Sequence, residues 1–261
     1  MKSIIYYLSF IIITFYSCQG QEKKSKNDIV KIQSLKNSVK CMNYKEKYFF
    51  EFPDVFGKNE NNFFNNIIIK DYSNYLDIDI APLTPKKIIN LAINNRKKEC
   101  NNNNFSGLTG SYYDVTFNNS IFLSITMNYE SIAGTADLDS YYYNFDVSNK
   151  KILVYNDILK ENKIIDFIKK CNAILKDRLK ELGIQNKVET ENSDEYKALL
   201  KLKQLFSNDN LDSFSISDKG ITFIYNYGFQ NGVFDIDNNL YFSYKDFQKY
   251  TKEDFQKKII N

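Results

Sequence analysis

The chain has 261 residues and contains neither histidine nor tryptophan. Without histidine a protein cannot build a Ser-His-Asp or Cys-His nucleophile pair, an HExxH zinc site, or an imidazole base that works near neutral pH. P-loop, GxGxxG and GxSxG motifs are also missing, which excludes common nucleotide-binding and serine-hydrolase signatures. We therefore expect no cofactor and no bound metal, and a binding protein is favoured over an enzyme.

Glycine and proline are scarce, with nine and three copies, which excludes collagen-like chains and Pro/Gly-rich linkers. The 35 basic and 32 acidic residues nearly cancel and leave a formal net charge of +3. Nucleic-acid-binding proteins usually carry a pronounced basic patch or stripe, so no nucleic-acid partner is expected. What the sequence does contain is apolar and aromatic residues, at 43% and 16%, which suffice for a substantial core.

The N-terminus, MKSIIYYLSFIIITFYSCQG, follows the pattern of a secretory signal. Lys2 precedes an apolar run that is shorter than the roughly twenty residues a membrane-spanning helix needs. The run ends at Cys18, directly after the small residue Ser17, and this arrangement resembles the lipobox of Bacteroidota lipoproteins. The resemblance implies a signal peptide over 1–17, a diacylglyceryl group on the Cys18 sulfur and, because Gln19 follows, the outer membrane. The alternative is an ordinary secreted protein with a chance cysteine.

Residues 18–40 are polar and mixed in charge, with too few apolar side chains to form a core. We expect a flexible tether that holds the folded part away from the bilayer. Two or three acyl chains anchor a protein durably, whereas one gives only marginal binding. The membrane is thus the first expected partner, contacted through the lipid on Cys18 at the periplasmic or the surface face of the outer membrane.

Three further cysteines remain, an odd number for an oxidising compartment. Cys41 precedes the first predicted strand and Cys100 follows a predicted helix, so both lie at element ends where a disulfide can form. Cys171 lies on the apolar face of a predicted helix, which is typical of a buried and inert thiol. A Cys41–Cys100 disulfide is therefore one hypothesis, and three free thiols in the mature protein are the other.

Hydrophobic periodicity predicts an α+β fold, an antiparallel sheet with helices packed on one face. Tight turns join strand pairs within 111–129 and 214–229, which favours antiparallel pairing. Apolar residues spaced by three and four indicate amphipathic helices. The first predicted helix begins at Pro85, with Thr84 as its cap. The second begins at Ile164 and is predicted to stop at Gly183, and the third begins at about Ser193.

Two shorter stretches carry further predictions. Residues 47–52 favour a strand that ends at Pro53, which has no amide proton to donate. Residues 75–82 alternate apolar and acidic side chains, as a half-exposed strand does. Asp77 and Asp79 then share a face, where they form either a carboxylate pair for acid–base chemistry or the solvated side of the strand.

A tyrosine-rich strand, a turn and a helix start follow one another in YYYNFDVSNKKILVYNDIL. Phe145, Asp146, Lys150 and Asp157 match a turn that opens with Phe-Asp and closes with Lys, followed by a D-[IL]-[FL] helix start. In these residues the segment 134–250 resembles the extracellular domain of RsiV-type anti-sigma factors, which is also the accessory domain of PdaC-type peptidoglycan deacetylases. The chain departs from that pattern where Lys150 stands alone in place of Thr-Gly-Lys.

The resemblance divides the folded chain into an N-terminal α+β part, 41–133, and a C-terminal α+β part, 134–261. It implies a non-catalytic domain that binds a protein or glycan at the envelope, since the anti-sigma relatives bind lysozyme. The alternative function is a carboxylate-dependent envelope hydrolase acting on glycan or peptidoglycan, which needs only two acids. No motif marks such a pair among the 32 acidic residues.

Tyrosines on predicted strands supply the candidate binding residues. Alternation places Tyr141 with Tyr143, and Tyr225 with Tyr227, on common faces. Exposed tyrosine is a frequent anchor for binding partners, so these four are the candidate ligand-facing aromatics. The alternative is cross-strand aromatic packing inside a tryptophan-free core.

Replacing Cys18 with serine is expected to abolish lipid attachment, because the acyl group is carried on the sulfur. Expressed in its native envelope, the Cys18→Ser chain should incorporate no labelled palmitate and should leave the membrane fraction. Cys171→Ala removes a different thiol and should retain both properties. Palmitate labelling of Cys18→Ser at the level of the unaltered chain would contradict the prediction.

Overall fold

The computed structural model of the protein describes residues 29–41, 47–56, 62–78, 83–101, 106–229 and 233–260. The predicted signal peptide, Cys18 and the first part of the predicted tether lie outside these residues. In the part that is described, no helix combines the length and the apolar content that crossing a bilayer requires.

The described residues form strands and helices in the following order along the chain. The strands are β1 (Lys31–Lys40), β2 (Lys47–Phe56), β3 (Gly107–Asn118), β4 (Phe122–Ile132), β5 (Ala136–Asp146), β6 (Lys151–Ile152), β7 (Phe214–Ile216), β8 (Gly220–Ile224) and β9 (Asn239–Ser243). The helices are α1 (Asn62–Tyr75), α2 (Pro85–Asn101), α3 (Tyr155–Ile158), α4 (Ile164–Gln185), α5 (Lys187–Asn192), α6 (Asp194–Lys201), α7 (Tyr244–Phe247) and α8 (Glu253–Ile260).

The strands build two sheets. The larger has the order β1-β2-β3-β4-β5-β6 and the smaller the order β7-β8-β9. Neighbouring strands pair antiparallel except β2 and β3, which run parallel. A parallel pair needs a crossover connection, and α1 and α2 supply it. The predicted α+β class is confirmed.

Helices α1 and α2 cover one face of the larger sheet. Phe64, Ile68 and Tyr72 recur every four residues in α1 and are buried against the sheet, as an amphipathic helix requires. In α2, Ile89 and Ile93 do the same. These apolar stripes make one side of the sheet the core of the N-terminal half.

Helix α1 was not predicted, and the predicted strand over 75–82 is wrong at its start. Tyr75 ends α1, and Asp77 follows in a left-handed turn with a φ of 50°. The four-residue spacing within α1 overrides the short alternation that follows it. Asp79 lies outside the described residues.

Successive side chains of strand β4 point to opposite faces of the larger sheet. Leu123, Ile125, Met127 and Tyr129 are buried in the core under α1 and α2, so the residues between them point to the opposite face. Those intervening residues are polar in the middle of the strand, at Ser124, Thr126 and Asn128. The larger sheet therefore has one apolar and one polar face.

The predicted tether over 18–40 is wrong in its last part, because Lys31–Lys40 forms β1. This strand pairs with β2 from Lys31↔Phe56 to Lys40↔Lys47. Val39 is buried, and Leu35 packs against the core. The strand lies at the edge of the sheet, where polar and lysine side chains are common, and this is why its sequence resembles a tether.

Strand β2 continues through Pro53 to Phe56, beyond the predicted end. Pro53 lies opposite Ser34 of β1, whereas β2 pairs with β3 at Phe50↔Ser111. The missing proline N–H thus falls outside the pairing with β3, which is a tolerated place for proline in a sheet.

The second core forms between the smaller sheet and α4. Cys171, Leu175 and Leu179 are spaced by four along α4 and fully buried. The sequence predicted that Gly183 would stop this helix, but Gly183 lies within it. A Cβ at Gly183 would overlap the hydroxyl of Tyr196 in α6, so the glycine permits close packing between the two helices.

Polar side chains join the two sheets, and we call Thr116, Ser124, Asn144 and Ser215 the polar seam. The Thr116 hydroxyl donates to Ser124 at 2.8 Å and lies 2.9 Å from the Ser215 hydroxyl. Ser124 donates to Asn144 Oδ1 at 2.7 Å, and Asn144 Nδ2 donates to the Phe214 carbonyl at 2.7 Å. Each buried polar group has a partner, so the seam carries no desolvation penalty for unpaired atoms.

The predicted division between 133 and 134 falls inside one sheet. Strands β4 and β5 pair from Phe122↔Asp146 to Ile132↔Ala136, so the boundary lies in the turn of a hairpin. The larger sheet extends to β6, and the smaller sheet begins only at β7. The two cores therefore do not coincide with the two predicted parts.

Cys41 and Cys100 form a disulfide with Cα atoms 5.6 Å apart. The bond connects the end of β1 to the last turn of α2, and so ties the edge strand to the helix that covers it. Cys171 is a free, buried thiol. Burial raises the pKa of Cys171 to about 12, which keeps it protonated and unreactive at neutral pH.

The residues of the pattern that opens with Phe145 and Asp146 hold the turn after β5. Asp146 accepts hydrogen bonds from the backbone amide and the side chain of Asn149, both at 2.9 Å, and lies 3.4 Å from the Lys258 ammonium. Burial alone would raise the pKa of Asp146, but Asn149 and Lys258 together lower it below its usual value. Lys150 adopts a left-handed φ of 49°, and Lys151 pairs with Asp157 at 2.6 Å. The role of these residues is therefore to stabilise the turn between β5 and α3.

The two faces of β4 should respond differently to truncation. Ile125→Ala removes a side chain that is 0% exposed and should lower the free energy of unfolding by about 2–5 kcal/mol. Thr126→Ala, one residue on and facing the other way, should cost less than about 1 kcal/mol. Urea unfolding monitored by circular dichroism measures both, and equal losses would contradict the assignment of faces.

The Asp146 carboxylate should make the fold sensitive to acid. Because its folded-state pKa is lowered, its contribution is complete above the ordinary value of 3.8 and is lost as the pH falls through the folded-state pKa. Asp146→Asn should cost about 1–3 kcal/mol at pH 7 and flatten the stability profile in that acid range. Asp177→Asn, an exposed control on α4, should leave the profile unchanged. Identical profiles for Asp146→Asn and the unaltered chain would refute this role.

Candidate functional site

Most of the tyrosines predicted to face a ligand lie in the core. Tyr143, Tyr225 and Tyr227 are only 4%, 6% and 5% exposed, which corrects the prediction for these three. Tyr141 is 40% exposed, but its ring packs edge-on against Tyr129 with centroids 5.5 Å apart. Alternation assigned the side chains to common faces, and those faces are the ones that the two cores cover.

The phenol groups under α1 act as structural donors. Tyr143 donates to the Asp71 carboxylate at 2.8 Å, and Tyr75 donates to Asp139 at 2.6 Å. Burial raises the pKa of both phenols far above the usual 10.0, and Asp139 beside Tyr75, and Tyr129 and Asp71 beside Tyr143, raise it further. Both therefore remain protonated at physiological pH and fasten α1 to the sheet.

Beyond the polar seam, no described helix or strand covers the opposite face of the larger sheet. A cavity of about 950 Å³ lies over β1 to β5, and a second concavity of about 610 Å³ continues it toward the smaller sheet. We call this surface the open face. It is formed by Phe49, Tyr112, Asp114, Asn128, Glu130, Leu138, Ser140 and Tyr142.

The outer row of the open face crosses four strands. Gly110 lies opposite Glu130, and Glu130 lies opposite Leu138. On the other side of Gly110 is the backbone carbonyl of Phe49, 3.2 Å from where a Cβ would be. Phe49 is 62% and Leu138 is 47% exposed, so two uncovered apolar side chains frame one carboxylate.

Gly110 leaves room for the Glu130 carboxylate against the sheet surface. The glycine follows a register shift in β3, and a Cβ there would lie 2.6 Å from Glu130 Oε2. Any other residue would displace this carboxylate from the sheet surface. In the described part of the chain, the carboxylates of Glu130 and Asp114 take part in no hydrogen bond or ion pair.

Polar groups fill the inner rows of the open face. Tyr112 lies opposite Asn128, and Asn128 opposite Ser140, whose hydroxyl donates to Asn128 Oδ1 at 2.6 Å. In the next row Asp114 and Tyr142 flank β4. The polar seam follows and closes the face at the smaller sheet. The surface thus changes from apolar and aromatic at its outer end to hydrogen-bonding inside.

Negative and positive side chains lie in different parts of the open face. Tyr112 is 37% exposed, and its pKa is raised by partial burial and by the nearby carboxylates of Glu130 and Asp114. Cations lie at the β1–β2 end instead, where the Lys47 ammonium is 5.3 Å from the Phe49 ring centroid. The centre of the face therefore carries negative charge around an aromatic ring.

Signs of metal binding or acid catalysis are not seen in the described residues. No group of acidic residues and cysteines there could hold a metal ion. Asp146, Asp157 and Glu195 have pKa values below their usual ones, because hydrogen bonds at turns and helix starts outweigh burial. The general acid of a glycosidase needs the opposite shift of its pKa, so these three carboxyls lack that property.

The sequence interpretation did not single out Phe49, Tyr112, Glu130 or Leu138. Alternation within 47–52 and 111–117 separates the faces of each strand, and this was the available signal. It could not show which face α1 and α2 would cover, because α1 had not been predicted.

Comparison with known proteins gives the fold. Neither a family model nor a curated protein matches the sequence. A DUF3298 family structure from Bacteroides fragilis superimposes with a TM-score of 0.52 at 12% identity, covering 86% of this chain and 94% of that one. A second, from Pseudomonas aeruginosa, gives 0.50 at 14% identity with the same coverage. The chain is therefore similar in fold to DUF3298 structures along most of its length.

Proposed function

We propose that this protein is a lipid-anchored, non-catalytic binding module of the cell envelope, whose open face takes a protein or glycan partner. The observation that carries the proposal is the open face itself, a concave sheet surface with exposed Phe49, Tyr112 and Leu138. Attachment to the outer membrane through Cys18 is the second part of the proposal, and it rests on the N-terminal sequence.

The open face has the composition that binding surfaces share. Aromatic and aliphatic side chains provide most of the binding energy at interfaces, and polar groups around them give orientation. Phe49, Leu138 and Tyr112 are 62%, 47% and 37% exposed over one cavity, although monomeric proteins usually scatter such side chains singly. The half-buried Ser140 and Tyr142 place polar groups beside them.

Membrane anchoring would keep this surface near the bilayer. Because β1 begins at Lys31, the segment that links it to Cys18 spans at most about 45 Å even when fully extended. The domain would then work close to the outer membrane. The resemblance of the segment 134–250 to RsiV-type extracellular domains, which bind lysozyme, supports a binding role at the envelope.

Site-specific crosslinking tests whether partners use the open face. Benzoylphenylalanine at position 49 replaces one exposed aromatic ring by another and should give discrete adducts in intact envelopes. The same probe at Ile184, which is 80% exposed on α4, is the control and should give none.

Two outcomes would count against this function. Identical adduct patterns from positions 49 and 184 would show that capture does not depend on the open face. Release of reducing ends from purified peptidoglycan by the unaltered chain, lost in Glu130→Gln, would favour the hydrolase instead.

A further inference from the structure

We infer that the open face recognises a positively charged side chain, a lysine or arginine on an extended segment of a partner protein. The inference rests on the proposed function and assigns its ligand chemistry. The site consists of the Glu130 and Asp114 carboxylates around Tyr112, with Phe49 beside them.

The local charge of the open face favours a cationic ligand. The whole chain has a formal net charge of +3, yet the centre of the open face carries two carboxylates with no ion pair in the described residues. The cations nearest the face are already engaged, since Lys36 lies 3.0 Å from Glu51 and Lys47 lies over Phe49. A cationic ligand would complement the remaining charge.

An ammonium already lies over an aromatic ring of this surface. The Lys47 nitrogen is 5.3 Å from the Phe49 ring centroid, within the range of a cation–π interaction. Tyr112 offers a second ring, and the carboxylates on either side of it would add Coulomb attraction for a cation. Lys47 thus shows the mode of binding that a ligand cation would use.

The backbone at Gly110 leaves space for Glu130 on the sheet surface. The carboxylate lies in the row between Phe49 and Leu138. A ligand cation there would be flanked by apolar side chains, which lower the effective dielectric and strengthen the ion pair.

Other ligand classes fit this surface less well. Anionic glycans and anionic lipid headgroups would be repelled by Glu130 and Asp114. A neutral glycan covering the face would strip water from both carboxylates without pairing them, and this is costly. A polypeptide with basic side chains along its length pairs the carboxylates and also covers Phe49 and Leu138.

Lys47 should therefore compete with the ligand. Removing it frees the Phe49 ring and makes the face more negative, so Lys47→Met should strengthen binding. Glu130→Gln and Asp114→Asn should weaken it. Opposite effects from two sides of one surface would not arise from general loss of folding.

The experiment measures the affinity of three ten-residue peptides by fluorescence anisotropy, using the full chain. The peptides alternate serine with lysine, with glutamine or with glutamate. The lysine peptide should bind most tightly, and its affinity should fall as salt increases. Glu130→Gln should weaken its binding about three- to tenfold, and Lys47→Met should strengthen it about two- to fivefold.

Asp177→Asn removes one exposed negative charge on α4 and is the matched control. Equal effects of Glu130→Gln and Asp177→Asn, or weaker binding by Lys47→Met, would overturn the inference. Preference for the glutamine or glutamate peptide would do the same.

Failure here is distinguishable from failure of the proposed function. If crosslinking from position 49 still captures a partner while Glu130→Gln leaves capture unchanged, the open face binds but not through a cation. If position 49 captures nothing beyond the control, the function itself fails.

Discussion

The structure depends on the two-residue alternation of β4 at the middle of the larger sheet. Leu123, Ile125 and Met127 direct one face into the core under α1 and α2, and burying such side chains stabilises a domain by about 1.5–3 kcal/mol each. A slip of one residue would exchange the faces and bury Ser124, Thr126 and Asn128 under the helices. The register that forms the core therefore also forms the open face.

The polar seam determines how much of that second face stays open. At the inner end of the open face, Thr116, Ser124 and Asn144 form a chain of hydrogen bonds. Asn144 connects this chain to the smaller sheet. Farther out, no second sheet covers Tyr112 and Phe49 in the described part of the chain, and their rings remain exposed. The same strands thus serve as a joint at one end and as a concave surface at the other.

The sequence predicted what local periodicity determines. Helix α4 and the hairpin of β3 and β4 follow from regular apolar spacing, and the structure places Cys41 and Cys100 at element ends within bonding distance. Other features depend on tertiary neighbours. Strand β1 has a polar sequence and is ordered by pairing with β2, Gly183 packs against Tyr196, and Tyr143 is buried because α1 covers it. No pattern within a single strand could show which face a distant helix would cover.

One face of the larger sheet is a core, and we propose that a partner binds the other, the open face. Hydroxyl-radical footprinting of the unaltered chain, read by mass spectrometry, tests this most directly because it measures side-chain exposure residue by residue. The account predicts rapid oxidation of Phe49, Tyr112 and Leu138, and protection of Tyr129 and Tyr143. Protection of Phe49 and Tyr112 together with oxidation of Tyr143 would contradict it.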